Sequence, residues 1–421
     1  MNAIVLGIAL VLGLPAAAGE VDDRLKAKAP LLTKILKENI IRFWYPQSID
    51  RADGGYYMHF DAAGKRRDDG TKMIVTQARM VWFFARLARA GYGNEYLEAA
   101  DHGYKFLKDK MWDHEHGGFY WEVDATGNRK LRPNKHLYGQ AFGLYALAEF
   151  ALASKRSDVL GFTTRFFHLL EEKSHDARHG GYNEFWTRDW KPASEQPYMG
   201  VPGGLKLFNT HLHILEALTT FYRASNLPLA RERLLELINI ESTAVVRAGL
   251  AACSDKFNPD WTPRLEGEWD RVSYGHDVEN IWLLADACDA AGIPNSPMMD
   301  LHRAVFAYSR KYGFDEEKGG FYDTGKPLKP ADRRQKVWWV QSEGLVGALK
   351  MYQLTREPQY AEVFEKTLDF IDKYQVDWKV GEWHSTVTPE GKGTGDKAQN
   401  WKAAYHNGRA MIECLEILSK L

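Results

Sequence analysis

Histidine is the side chain that gains and loses a proton near neutrality, and this chain places several histidines beside carboxylates, amides and rings at helical spacing. Residues 207–216 read Leu-Phe-Asn-Thr-His-Leu-His-Ile-Leu-Glu. On a helix the rings of His211 and His213 point about 200° apart, so they cannot share one ion. Asn209 and His213 do share a face, as do His213 and Glu216. His213 is therefore the candidate for chemistry and His211 for structure. Further on, His276 and Glu279 lie on one face, where a carboxylate can hold an imidazole and raise its basicity. Trp339 and Glu343 pair in the same way within Trp338-Trp339-Val340-Gln341-Ser342-Glu343, and His406 with Arg409 within Tyr405-His406-Asn407-Gly408-Arg409. Arg79 interrupts an apolar run and is costly there unless it meets a carboxylate or a polar ligand. Tyr138 and Gln140 open another such run. Two imidazoles on opposite sides of a sugar could take a proton from one face of a carbon and return one to the other. That proton must lie alpha to a carbonyl, which an aldose offers at C2 once its ring opens. The residues predict epimerisation without a cofactor.

Other chemistries lack their signatures. The chain has no Gly-x-Gly-x-x-Gly, no phosphate-binding loop and no Gly-x-Ser-x-Gly elbow. Cys253, Cys288 and Cys414 are far apart and form no zinc pattern with histidine; they read as buried thiols, and no metal is expected. A formal net charge of −1 gives no basic field for phosphates, so nucleic acid is not an expected partner. Fourteen tryptophans supply flat faces for sugar C–H groups as well as core.

The elements that must position these groups repeat. Gly54-Gly55-Tyr56, Gly117-Gly118-Phe119, Gly180-Gly181-Tyr182 and Gly319-Gly320-Phe321 recur, with a worn copy at Gly381-Glu382-Trp383. Successive starts differ by 63, 63, 139 and 62 residues, so one copy is missing near 250, with its degenerate form expected at 257–261. A fixed period of this size marks stacked supersecondary units. Between the turns the pattern is paired helices: 76–87 with 96–112, 138–153 with 159–173, 207–224 with 229–248, 276–291 with 298–312, and 336–354 with 359–374. The last helix, 402–420, pairs with 30–43. The prediction is an all-α (α/α)6 barrel of six helical hairpins, with short β-hairpins at the active-site end, filling 19–421 as one domain. An open solenoid would need polar capping repeats, and none is present. A ring of inner helices makes a deep pocket at one end.

The first eighteen residues differ. Residues 4–14 are uncharged and apolar, and Pro15-Ala16-Ala17-Ala18-Gly19 supplies small residues for cleavage, although no Lys or Arg precedes the run. This reads as a secretory signal too short to span a membrane, predicting a periplasmic or secreted protein; the alternative is a cytoplasmic one with a misplaced start.

These motifs resemble the N-acylglucosamine 2-epimerase superfamily, most closely its cellobiose (or mannobiose) 2-epimerase branch, from about residue 30 onward. The resemblance implies that His276 and His406 form the acid/base pair acting at C2 through a cis-enediolate. His213 would assist ring opening beside Asn209, and Glu279 would orient His276. Arg79 and Tyr138 would hold the reacting sugar's oxygens. Trp339 (or Trp338) and Trp401 would flank the reducing-end sugar and its neighbour, with Glu343 and Arg409 also in the binding set. The expected partner is a mono- or disaccharide, the expected assembly a monomer or weak dimer, with no cofactor. The chain reads Trp401-Lys402-Ala403-Ala404-Tyr405-His406 where that branch is expected to carry Cys-Pro in place of Ala-Ala, and its Lys206-Leu207-Phe208 is also unusual. N-acylglucosamine 2-epimerase and aldose–ketose isomerase activities are the near alternatives. A glycoside hydrolase, which needs two opposed carboxylates, and an inert sugar-binding protein are the distant ones.

Overall fold

The computed structural model describes residues 14–67, 70–194, 198–247 and 249–421. Six helices form an inner ring: Ile74–Arg89, Leu137–Ser154, Phe208–Ser225, Tyr274–Ala291, Trp338–Thr355 and Tyr405–Leu418. Their composition explains the placement. In Leu137–Ser154 every residue from Leu137 to Ala151 is buried, as a helix without a polar stripe requires. Neighbouring inner helices pack in order, and the sixth packs on the first, closing the ring. Outer helices cover it: Asn94–Phe106, Ser157–Lys173, Pro228–Asn239, Met299–Gly313 and Pro358–Phe370, with the run from Ala29–Lys34 to Arg42–Trp44 against the sixth inner helix. Four outer helices widen into π turns at their ends, Ile35–Ile41, Leu107–Met111, Ile240–Ala244 and Ile371–Gln375. Among the described residues this is the closed (α/α)6 barrel, and the solenoid is excluded.

Two expected helices start late. Lys336–Val337 pairs with Thr386–Val387 as a strand before the fifth inner helix begins at Trp338, and Lys402 bridges Gln399 before the sixth begins at Tyr405. Of the expected leader at 1–18, residues 1–13 lie outside the described residues. The helix Leu14–Lys26 packs on Pro358–Phe370, where Arg24 meets Glu365 at 2.9 Å.

The glycine turns close tight hairpins, bridged Ile49 to Tyr56, Trp112 to Phe119, His175 to Tyr182, Phe314 to Phe321 and Val376 to Trp383. At Gly181 φ is +71°, and a Cβ would stand 2.7 Å from Trp261 and 2.9 Å from His211; only glycine fits. An aspartate in each glycine turn receives a lysine from the segment before the next inner helix, a strand in the first four cases: Lys72–Asp50 (2.7 Å), Lys135–Asp113 (3.1 Å), Lys206–Asp176 (2.8 Å), Lys336–Asp315 (2.9 Å) and Lys397–Asp377 (2.8 Å). Lys206, unusual in the sequence motif, is one of this set. Removing one partner of a buried pair costs about 3–5 kcal/mol, so these pairs hold the turns in register with the helices.

The missing copy is at 246–253, not 257–261. Val246–Arg247 pairs with Ala252–Cys253, whereas Phe257 pairs with Lys206 in the next ladder. The turn has lost its Gly-Gly and places Ala251 at φ +54° instead, which hid it from a glycine pattern. In the worn copy Glu382 stands at φ +59°, and its carboxylate takes Lys402 at 2.6 Å and Asn407 at 2.7 Å.

A glutamine at the fourth position of an inner helix reads both backbone groups of the turn's aromatic residue. Gln77 does so with Tyr56, Gln140 with Phe119 and Gln341 with Phe321, all at 2.7–2.9 Å. In the third inner helix that position is His211, whose Nε2 accepts from the Tyr182 N–H at 3.0 Å. His211 is a structural residue.

Candidate active site

The second and sixth residues of each inner helix lie one turn apart and face the ring's axis. The second positions supply Tyr138, Asn209, Trp339 and His406; the sixth supply Arg79, Phe142, His213, Glu279 and Glu343. In the fourth inner helix the second position is Gly275. A Cβ there would meet Trp339 at 2.6 Å; its absence lets Trp339 lie against the helix and pack on His276, ring centroids 4.5 Å apart. Trp339 also packs on His406 at 5.9 Å. The resulting cavity of about 150 Å³ is walled by Arg79, Tyr138, Asn209, His213, His276, Trp338, Trp339, Trp401 and His406. It is smaller than the ~300–1,000 Å³ of a drug-sized site, so it suits one sugar ring, with further groups at the mouth beside Trp401, which is 37% exposed.

Glu279, Glu343 and Arg409 are not in the wall. They lie beneath it as a buried floor with Glu216. Arg409 donates to Glu279 and Glu343 at 2.8 Å each and pairs with Glu216. Tyr405 Oη also donates to Glu216 (2.6 Å). Each floor carboxylate except Glu279 holds a wall histidine by Nδ1: Glu343 holds His406 at 2.6 Å, and Glu216 holds His213 at 3.1 Å. The Glu343 oxygens also accept from Trp282 Nε1 and Arg409, so His406 donates Nδ1–H and turns the Nε2 lone pair to the cavity. His213 is held likewise.

The expected Glu279–His276 contact is not made. The same three-residue spacing joins His213 to Glu216, but here Arg409 draws the Glu279 carboxyl down at 2.8 Å while His276 stays in the wall. The charges that act on His276 are Asp255 and its paired neighbour Lys256; Asp255 lies in the loop that caps the third inner helix by accepting from the Asn209 N–H at 3.2 Å. Sequence reasoning missed Asp255, which follows no helical period. It also missed Phe142, whose ring lies 4.7 Å from His213 and 4.3 Å from the Arg79 guanidinium; its place at a sixth position was the available signal.

Among the described residues Arg79 meets no carboxylate. Its guanidinium donates to the Trp401 carbonyl (2.6 Å) and Tyr138 Oη (3.2 Å) and lies over the Phe142 and Tyr405 rings. The wall thus holds a cation with capacity left for a polar ligand. Glu279, Glu343 and His406 have ligand atoms within 4.8 Å of one another, a spacing a metal could use, but the Arg409 guanidinium already donates to both carboxyl groups.

Burial sets the protonation states. It lowers His276 to about 4 and moves His213 and His406 well below the ordinary imidazole value, so all three are neutral at pH 7 and able to accept a proton. Burial pushes Glu279 up to about 8. Folded Glu279 keeps a proton that the unfolded chain releases near its ordinary 4.5, so folding takes up a proton between those values and stability falls as pH rises toward 8. The imidazoles, lowered by burial, act in the opposite sense below their ordinary 6.5, leaving the net loss visible above 6.5. Urea midpoints are expected to be lower at pH 8.5 than at pH 6.5, and Glu279→Gln is expected to narrow that gap; an unchanged gap would remove Glu279 from the floor's proton inventory.

Known proteins match both chain and fold. The family profile of N-acylglucosamine 2-epimerase (GlcNAc 2-epimerase) matches residues 55–410. The cellobiose 2-epimerase of Bacteroides fragilis is 28% identical, covering 94% of this chain and 99% of its own. The D-mannose isomerase of Marinomonas mediterranea is 25% identical over 91% of this chain and 96% of its own. Among solved structures, the cellobiose 2-epimerase of Spirochaeta thermophila superposes with a TM-score of 0.83 at 33% identity, covering 97% of this chain and 99% of that one.

Proposed function

The chain belongs to the N-acylglucosamine 2-epimerase family, with relatives that are epimerases and isomerases of sugars, and on that premise we propose that it inverts C2 of the reducing-end sugar of a β-1,4-linked disaccharide, interconverting glucose and mannose units. The observation that carries this reading is the wall itself. Two imidazoles flank Trp339 in one cavity, and no carboxylate lines it. A glycoside hydrolase would need two carboxyl groups across the bond.

The reducing-end ring opens in the cavity, with His213, held through Nδ1 by Glu216, serving the ring and carbonyl oxygens. One of His276 and His406, neutral, takes the C2 proton, giving a cis-enediolate and an imidazolium. The other enters the cycle carrying a solvent-derived proton on the nitrogen that faces the cavity and delivers it to the opposite face of C2, and exchange with solvent resets the pair. Arg79, with Tyr138 and Asn209, faces the oxygens where negative charge develops, the place where a preorganised cation counts most. The neighbouring sugar lies at the mouth against Trp401.

Incubation with cellobiose in D2O, followed by NMR, tests the reading. The expected product is the C2-epimeric disaccharide carrying deuterium at C2. A ketose would move the assignment to an aldose–ketose isomerase, and free monosaccharides would defeat it. The apolar leader further supports export, with the mature chain starting near Gly19. Intact mass of protein recovered from a secreting host checks this; an uncleaved N-terminus would overturn it.

A further inference from the structure

The last glycine turn departs from the other four. In those, glycine follows glycine, and the inner helix sends a side chain back to the turn from its fourth position: Gln77, Gln140, His211 or Gln341. In the sixth inner helix that position is Gly408, where a Cβ would run into the Phe83 ring, so no side chain can reach back. The turn reaches forward instead. Glu382 takes the second glycine's place at φ +59°, a left-handed backbone that a residue with a Cβ keeps only where its surroundings enforce it.

The Glu382 carboxylate is completely buried and accepts three hydrogen bonds: from Trp44 Nε1 at 2.5 Å, Lys402 Nζ at 2.6 Å and Asn407 Nδ2 at 2.7 Å. Lys402 and Asn407 follow Trp401 and His406 in the chain, so each clamped residue is the neighbour of a residue in the cavity wall. The Trp401 carbonyl in turn accepts from Arg79 at 2.6 Å. Lys402 Nζ also lies over the ring of Trp338, another wall residue, 5.8 Å from its centre. Stability does not account for this arrangement. A buried ion pair holds a fold no better than well-packed apolar side chains of similar volume, and the other four turns close with no carboxylate at this position.

We propose that Glu382 is a positioning residue, on the reading that this cavity is the site of C2 epimerisation. Through Lys402 and Asn407 it fixes residues 401–407 against the turn and so sets where Trp401 and His406 face the sugar. A proton carrier shifted by a fraction of an ångström loses rate more than affinity, so its removal falls on kcat.

Position and stability are separated by pairing two substitutions. Glu382→Gly restores the residue of the other turns but strands Lys402, so it is combined with Lys402→Met, which leaves no buried charge behind. The pair is expected to unfold within a few degrees of the wild type, while kcat on cellobiose falls about 10–100-fold and KM changes less than about threefold. In histidine-labelled protein without sugar, the His406 ring signals in NMR are expected to move, and those of His168, exposed on an outer helix, to stay. An unmoved His406 signal, or kcat at the wild-type level, overturns the proposal. Should the pair fail to fold, Asn407→Leu, which cuts only the bond beside His406 and keeps the ion pair, is expected to give the same loss and the same shift; a silent Asn407→Leu overturns the proposal equally. A wild type that leaves cellobiose unchanged would defeat the epimerase reading, and the ring signals would still decide the positioning.

Discussion

Replacing His406 by asparagine is expected to lower turnover by roughly 10²–10⁴-fold, the usual contribution of one general acid or base, while the thermal midpoint moves by only a few degrees. Asparagine keeps a donor toward Glu343 but removes the Nε2 lone pair from the cavity. His276→Asn is expected to lose as much, and the double variant little more than either, because groups acting as one unit do not add. A finer result separates the two-base scheme from a single shuttling base. With one imidazole gone, the other still faces one side of C2, so a single variant is expected to wash deuterium into one epimer without inverting it. Near-wild-type epimerisation by either variant would defeat the assignment.

Arg409→Met is expected to do damage of another kind. The guanidinium is 1% exposed and stands among Glu216, Glu279 and Glu343. Removing it leaves carboxylates buried without their cation, a loss of about 3–5 kcal/mol, together with turnover, since Glu343 and Glu216 hold His406 and His213. Arg409→Lys is expected to recover little, because a single ammonium cannot replace a fork that reaches three carboxylates. Denaturant unfolding with parallel activity assays checks both variants; an Arg409→Met protein as stable as the wild type would mean the floor is held by other contacts.

The barrel was legible because its signals are periodic. Glycine turns recur at one spacing, and between them an inner helix apolar nearly all round alternates with an amphipathic outer one, so both count and closure followed. The site was legible for the same reason: Asn209 with His213 and Trp339 with Glu343 each sit one helical turn apart and face one way. What escaped depends on contacts across the ring. Nothing in local spacing tells that Glu279 turns to Arg409, 130 positions away, rather than to the nearby His276. Nor does it tell that Asp255 and Lys256, outside the helix, bring their charges to His276. His211 is the instructive case, since helix geometry separated it from His213, but its role came only from aligning it with Gln77, Gln140 and Gln341.

The sixth inner helix, Tyr405–Leu418, seats against the first, Ile74–Arg89, and carries both His406 and Arg409. Contacts between segments so distant along the chain form late and slowly in folding. A nascent or C-terminally clipped polypeptide therefore has five sides of its ring and lacks His406, one of the two proton carriers of the proposed scheme. On that scheme reactivity is expected to switch on only when the circle shuts, so work on a carbohydrate waits for a complete architecture.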